Sequence, residues 1–348
     1  MKTVARHRLF WPVVALIALI LINTVSRPSF LSITVNDGEL YGSLIDILRN
    51  SAPLMLVGVG MTLVIATRGI DLSVGAIIAI SGAVSLSFIA NSGSPESPVT
   101  VGVGIGLGVG VSLILGLWNG FLVSVVGIQP IIATLVLMLA GRGIAMLITQ
   151  GQIATITSAP YSFIASGYIF GLPVPFYVSL FAVATAALLV RRSAFGVLLE
   201  AVGINPTASR LAGIKSRSII WIVYGFSGLL AGVAGIIYSS NIMAADANNA
   251  GLNVEVDAIL AVVIGGTSLA GGKFMLSGTV VGVLIIQTLT ATVTFLGVPP
   301  AVTPLFKAMV VIAVCLLQSR RVRVLLTNRR TTTPLTVHPD SVKVSATV

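Results

Sequence analysis

The chain has 348 residues, of which 56% are hydrophobic and only 9% charged, and its mean hydropathy is +1.06. Soluble domains carry about 25% charged residues, so this composition excludes one, and apolar runs of some twenty residues along the whole length define an all-α polytopic membrane protein. The formal charge of +10 is not a nucleic-acid footprint, because the basic residues gather in the tails and in certain loops, as membrane topology requires.

Lys2, Arg6 and Arg8 precede a first apolar run, Leu9 to about Val25, which no small-residue cleavage site closes, so an uncleaved helix is expected. Spans follow at about Ile47–Thr67 and Leu72–Ala90, joined by the tight polar turn Thr67–Asp71, and then at Val99–Val126 and Ile128–Thr149. The fourth span alternates glycine from Gly102 to Gly110, a strand-like pattern whose length and flanks predict a helix with one close-packed face. An outer loop with a short helix is expected over Gln150–Pro175, a span over Phe176–Val190, a basic loop over Arg191–Arg217 and a span over Ser218–Tyr238. The polar island Asn241–Asp257 precedes a short apolar segment, Ala258–Gly265, that either spans or re-enters. The glycine cluster Gly265–Lys273 and spans at Leu276–Leu296 and Pro304–Gln318 complete about ten transmembrane helices.

The chain thus divides into a basic N-terminus (1–8), a transmembrane domain (9–318) and a basic, then Thr-rich tail (319–348) that is expected to be disordered. With both termini cytoplasmic, most Lys and Arg fall inside and most Asp and Glu fall outside, as the positive-inside rule demands.

Within the basic loop, Glu200–Lys215 carries its own helix punctuation. Asn205 is an N-cap followed by Pro206 at the first helical position, and Gly213 stands where a left-handed residue ends a helix. The two turns between them, Pro206–Ala212, place Ala208, Leu211 and Ala212 on one small apolar face. A helix this short does not persist alone, so it packs on its own chain or into a partner.

Enzyme chemistry finds no support. Gly271–Phe274 lacks the first glycine and the Ser/Thr of a P-loop. There is no metal-ligand cluster and no nucleophile–base spacing, His7 and His338 lie in the tails, and the single cysteine, Cys315, sits in an apolar run. The embedded charges each need a reason. Asp71 caps the following helix or faces a polar pathway; Arg142 snorkels to the outer surface or faces that pathway, and Lys307 poses the same choice. All are expected near helix ends, which counts against an ion-coupled secondary transporter with its midplane ionisable group. The island residues Asp246, Asn248, Asn249, Asn253, Glu255 and Asp257 offer donors and acceptors suited to a hydroxylated solute, and equally to ordinary turns.

Four blocks carry a resemblance: Gly69-Ile-Asp-Leu-Ser-Val-Gly75, Ile128-Gln-Pro-Ile-Ile-Ala-Thr-Leu135, Glu200-Ala-Val-Gly-Ile-Asn205 with Ala212-Gly-Ile214, and the stretch from Glu255 to Ser268. In order and spread, over about residues 45–318, they resemble the signature blocks of permease subunits of bacterial ABC sugar importers of the ribose/galactose/xylose branch. Arg68 stands where that family usually has glycine. Asp37–Ser43, Ala140–Gly143 and Ala245–Leu252 are most similar to the permeases of galactofuranose importers. The resemblance implies an inner-membrane subunit that binds no cofactor itself. It also implies a cytoplasmic ATPase that holds the ATP, a periplasmic sugar-binding protein, a second, homologous permease and surrounding lipid. Glu200, Gly203, Asn205, Ala208, Leu211 and Gly213 would belong to the coupling helix that docks on the ATPase. Asp71 and Ser73 would cap a helix near the path, and Arg142 and the island residues would serve the path or the outer loops. Permeases for branched-chain amino acids share the layout and are the nearest alternative.

Overall fold

The computed structural model describes residues 9–318, so the N-terminal residues 1–8 and the tail 319–348 lie outside the described residues. The helices are α1 (Phe10–Ser26), α2 (Ser43–Ala66), α3 (Val74–Asn91), α4 (Pro98–Phe121), α5 (Pro130–Ile148), α6 (Ala159–Ser166) and α7 (Val174–Arg192). They continue with α8 (Phe195–Ile204), α9 (Pro206–Leu211), α10 (Ser216–Ile242), α11 (Val254–Ile264), α12 (Leu276–Phe295) and α13 (Thr303–Gln318). Three small antiparallel pairs accompany them: β1 (Thr34–Asn36) with β2 (Glu39–Tyr41), β3 (Ala154–Thr155) with β6 (Ala244–Ala245), and β4 (Tyr168–Ile169) with β5 (Leu172–Pro173). The β1–β2 hairpin turns at Asp37-Gly38, both with positive φ, as a two-residue primed turn requires.

Among the described residues, seven helices are long and apolar enough to cross a membrane: α2, α3, α4, α5, α7, α10 and α12. The expected first and last spans are present as α1 and α13, with 17 and 16 residues, each about 25 Å long. The expected span at Ala258–Gly265 is different. It is α11, which starts at Val254 and has 11 residues, about 16 Å or half of a ~30 Å hydrocarbon layer. The expected all-α polytopic fold stands, and of the two readings left open for this segment the half-length α11 fits re-entry. A correction concerns the basic loop Arg191–Arg217, whose first half is helical as α8.

α10 is the hub of the bundle and packs on α4, α2 and α3. The apolar stretches of α2, α3 and α10 are largely buried, whereas those of α4, α5 and α7 bury less than a third of their residues and turn apolar faces outward. The alternating glycines of α4 now have a reason. Gly104, Gly108, Ser112 and Gly116 recur every fourth residue on the packed face, while Gly102, Gly106 and Gly110 meet open space. A Cβ at Gly116 would sit 2.5 Å from the Tyr224 carbonyl oxygen, and one at Gly228 would sit 2.6 Å from that of Ser112, so α4 and α10 touch backbone to backbone.

Two breaks shape the interior. After α2 ends at Ala66, residues 67–73 turn back into the bundle before α3 begins. The Asp71 side chain meets Ser227, near the midpoint of α10, so α3 starts at depth rather than at the surface. On the other side, residues 246–253 dip inward after β6, and Gly251 packs against Gly75 and Ile78 of α3 before α11 starts. From the far end of α11, residues 265–275 return to the end of α2, where the Gly272 amide donates to the Ala66 carbonyl at 2.9 Å.

Candidate functional site

The unit α8–α9 closes one end of the bundle. The Asn205 side chain accepts from the amides of Thr207 at 3.1 Å and Ala208 at 3.0 Å, as an N-cap should. At the other terminus Gly213 has φ +84°, and the Ile214 amide returns to the Ser209 carbonyl at 2.9 Å. α9 is held to its own chain by the buried Ser209 and by Ser216, whose hydroxyl donates to the Pro206 carbonyl at 3.3 Å. Ala208, Leu211 and Ala212 are all exposed, Leu211 at 87%, so this apolar face is left uncovered by the described residues. Glu200, on α8, is half-buried.

Gly203 behaves differently. It is buried, and a Cβ there would lie 1.9 Å from the Ala66 carbonyl oxygen and 2.5 Å from the Gly272 nitrogen. It is therefore the seat on which the end of α2 and the 265–275 loop rest, not part of a docking face. Arg68 completes the junction: its guanidinium Nη2 donates to the Ile204 carbonyl, at the C-terminus of α8. Arg68 has φ +66°, a left-handed conformation that favours glycine, and that is the physical reason a glycine suits this position.

A buried polar cluster lies deeper, at the break before α3. Asp71 Oδ1 accepts from the Ser73 amide at 3.1 Å and the Ser73 hydroxyl at 2.6 Å, while Oδ2 accepts from Ser227 Oγ at 2.9 Å. Asn119 Nδ2 donates to Ser73 Oγ at 2.8 Å. Asp71, Ser73 and Asn119 are fully buried within this chain. The carboxylate thus joins α3 to α10 and, through Ser73, to α4, and it makes no bond to an amide of α3. The Asn119 carbonyl oxygen and the Tyr224 hydroxyl, also buried, have no hydrogen-bond partner among the described residues. This overturns one sequence-based expectation: Asp71 lies deep in the bundle, so the position of the charges does not argue against a secondary transporter.

At the opposite end, Arg142 does not snorkel outward. Its Nη1 donates to the carbonyls of Ala247, at 3.1 Å, and Ala250, pinning the inward-dipping loop to α5. Asp246 organises the same loop, accepting from the amides of Asn248 and Asn249 at 3.0 and 3.1 Å and from the Asn249 side chain at 2.7 Å. These bonds, that of the Asn249 side chain foremost, hold the Asp246 carboxyl below its usual range. Asn248, Asn249 and Asn253 are exposed, and Asn253 has a left-handed φ of +62° at the start of α11. Glu255 is buried against Gly75, its Oε2 without a partner among the described residues. Asp257 pairs with Lys307 of α13 at 2.6 Å, so neither is an isolated outer charge. No group of three or more metal-ligand side chains occurs among the described residues.

Residues 43–315 match the family described as branched-chain amino acid transport system, permease component. The chain belongs to this permease family. The permease is 45% identical over 324 residues to the galactofuranose transporter permease protein YtfT of Escherichia coli K12, covering 92% of this chain and 93% of that one. It is 41% identical over 335 residues to the fructose import permease protein FruF of Bifidobacterium longum, covering 94% and 92%. A ribose import permease protein, RbsC of Bacillus subtilis, is 37% identical over 312 residues, covering 89% and 92%. No solved structure matches the chain.

Sequence reasoning missed α8, Asn119, Ser227 and Tyr224. The clue to α8 was present, because Phe195, Leu198, Leu199 and Val202 recur at helical spacing. For Asn119, Ser227 and Tyr224 there was no local signal, since their role depends on which helices meet.

Proposed function

We propose that the permease is the membrane subunit of an ATP-driven monosaccharide importer in a bacterial inner membrane, working with a separate ATPase, a sugar-binding protein outside and a second, homologous permease. The sugar class rests on the relatives, which are named for galactofuranose, fructose and ribose import. Galactofuranose is the substrate we name first, from 45% identity over nearly the whole chain. The family description also covers branched-chain amino acids, but the named relatives favour sugar.

The observation that carries the coupling role is the exposed face of α9, with Leu211 at 87%, on a helix too short to stand alone. The ATPase would cover Ala208, Leu211 and Ala212, and both termini would lie on its side of the membrane. ATP stays on that partner, and the permease binds no cofactor itself. A push on α9 would pass through Asn205 and Ile204 to Gly203 and Arg68, and from there to α2 and the loop before α12. Rigid helices displaced together in this way re-aim the bundle between its two facing states. The Asp71–Ser73–Ser227 bonds would keep α3 and α10 moving as one body. The outward faces of α4, α5 and α7 would meet lipid or the second permease, and Asp246, Asn248, Asn249 and Asn253 would serve the outer mouth.

The test is a mild-detergent purification of the tagged permease from its native membrane. An ATPase should co-elute and be lost from Leu211→Asp, whose exposed position leaves the fold intact. A permease that elutes alone and moves sugar in vesicles without ATP would sink the proposal.

A further inference from the structure

The end of the bundle opposite α9 holds a cavity that the coupling mechanism does not use. It has a volume of about 130 Å³ and lies between the first turns of α2 and the last turns of α10, with the α6–α7 region as its third wall. Pro53 and Pro175 supply apolar walls, and four polar side chains converge on it: Arg49, Asn50, Tyr238 and Asn241. One hydrogen bond joins them, from Arg49 Nη2 to Asn241 Oδ1 at 3.3 Å. The Asn50 carboxamide, the Tyr238 hydroxyl and the Asn241 amino group make no side-chain bond among the described residues.

That set has a definite chemical taste. A guanidinium, two carboxamides and a phenol together present many donors and several acceptors at close range, with most of that capacity unused inside the protein. A neutral solute bearing alternating hydroxyls satisfies such a set, because each hydroxyl both donates and accepts. The phenol ring adds an apolar face for the ring carbons of the solute. An anion fits less well. Among the described residues Arg49 is the only cation lining the cavity, it is already bonded to Asn241, and the exposed Asp46 lies one turn away on α2.

We propose that Arg49, Asn50, Tyr238 and Asn241 form a low-affinity monosaccharide site at the mouth of the permease. The choice of a sugar over another polyol rests on the import function proposed above. The site is built on α2 and α10. One of these ends at the Ala66–Arg68 junction and the other carries Ser227, so a bound solute would bear on the same two helices as the coupling unit.

A cysteine-protection experiment tests this on the full chain in its native membrane. In a Cys315→Ala background, Pro53→Cys, which lines the cavity but is not one of the four, becomes the lone thiol, and its alkylation by the uncharged reagent N-ethylmaleimide is timed with D-ribose, D-fructose, D-galactose or no sugar. A sugar at about three times its Kd should slow alkylation about fourfold. Alkylation at Asn91→Cys, away from the cavity, should not change. Adding Tyr238→Phe or Asn241→Ala should weaken the protection. A sugar that the wild-type importer takes up but that leaves the Pro53→Cys rate unchanged would overturn the site and leave the import function standing. Protection in a permease that takes up no monosaccharide at all would keep the site and sink the import function. Equal protection by sodium sulfate would make this an anion site and overturn the proposal.

Discussion

Gly203→Ala is the sharpest test of how the coupling unit is joined to the bundle. The added Cβ would stand 1.9 Å from the Ala66 carbonyl oxygen, 2.5 Å from the Gly272 nitrogen and 3.0 Å from its Cα. All three are backbone atoms, so no side chain can swing aside and the helices must separate. Overpacking of this kind typically costs about 1–3 kcal/mol. The separation also strains the Gly272–Ala66 hydrogen bond, which lies in the same contact, and a typical bond of this type contributes about 0.5–1.5 kcal/mol. Together they weaken the junction by about 1.5–4.5 kcal/mol, a shift of roughly 10- to 1,600-fold toward the parted form. The expected phenotype is normal insertion and retained ATPase binding, because Leu211 is untouched, with sugar uptake per ATP hydrolysed falling steeply in proteoliposomes. Gly106→Ala is the control, since a Cβ there meets nothing within 4 Å. Wild-type coupling in Gly203→Ala would show that force does not pass through this contact.

Other substitutions probe the remaining parts. Arg68→Gly relieves a left-handed φ that costs about 1–2 kcal/mol for a side-chain-bearing residue while losing one exposed hydrogen bond. It should therefore keep thermal stability and uptake near wild type, whereas Arg68→Val, which is strained and lacks the bond, should lower both; the reverse ranking would refute the geometry. Asp71→Ala leaves the Ser73 and Ser227 donors without their acceptor, at about 1–3 kcal/mol for each buried group that stays unsatisfied. Its thermal unfolding in detergent should fall well below that of Asp71→Asn, which keeps an acceptor; equal melting would place the carboxylate's value elsewhere. The Asp246 carboxyl is held below its usual range, so its contribution is present above the unfolded value of about 3.9 and is lost as pH falls through the lower folded value. Proteolytic nicking of the 246–253 loop should thus stay constant from neutral pH to about pH 5 and rise only below about pH 4, and Asp246→Asn should raise it at neutral pH with the difference from wild type shrinking as the carboxyl protonates.

Much of the bundle was legible because its signals are local. Apolar runs of membrane length mark α2, α3, α4, α5, α7, α10 and α12, and cap chemistry at Asn205 and Gly213 marks α9 without reference to anything distant. The failures share a cause. The segment Ala258–Gly265 reads as a weak span because hydropathy cannot distinguish a half-length helix at depth from a full crossing. Asp71 reads as a surface-edge charge because sequence gives its distance from a helix end, not the depth at which that helix begins. Gly203 reads as part of a docking motif because it adjoins the capped, exposed α9, while its burial depends on Ala66 and Gly272, more than sixty residues away on either side. Arg142 and Lys307 likewise found partners, the Ala247 and Ala250 carbonyls and Asp257, that no spacing rule connects to them.

These long-range contacts have a common character that bears on how the permease moves. The junctions that matter most are made by backbone: Gly203 on Ala66 and Gly272, Gly116 on Gly228, Gly75 on Gly251. Side-chain contacts can deform gradually as rotamers change, but apposed backbones can only slide or part, and a packed interior of this kind is stiff. Under the proposed coupling, a displacement at α9 would pass through these contacts to the end of α2, turn through Arg68 and the 67–73 segment, and reach the Asp71 bonds that hold α3 to α10. Because α3 and α11 both start at depth, with Gly75 of one touching Gly251 and Glu255 beside the other, motion there shifts two helix N-termini at once. On the proposed function, the glycine contacts would act as bearings and the buried hydrogen bonds as rivets, and both would be needed for a small push at one end to change access at the other.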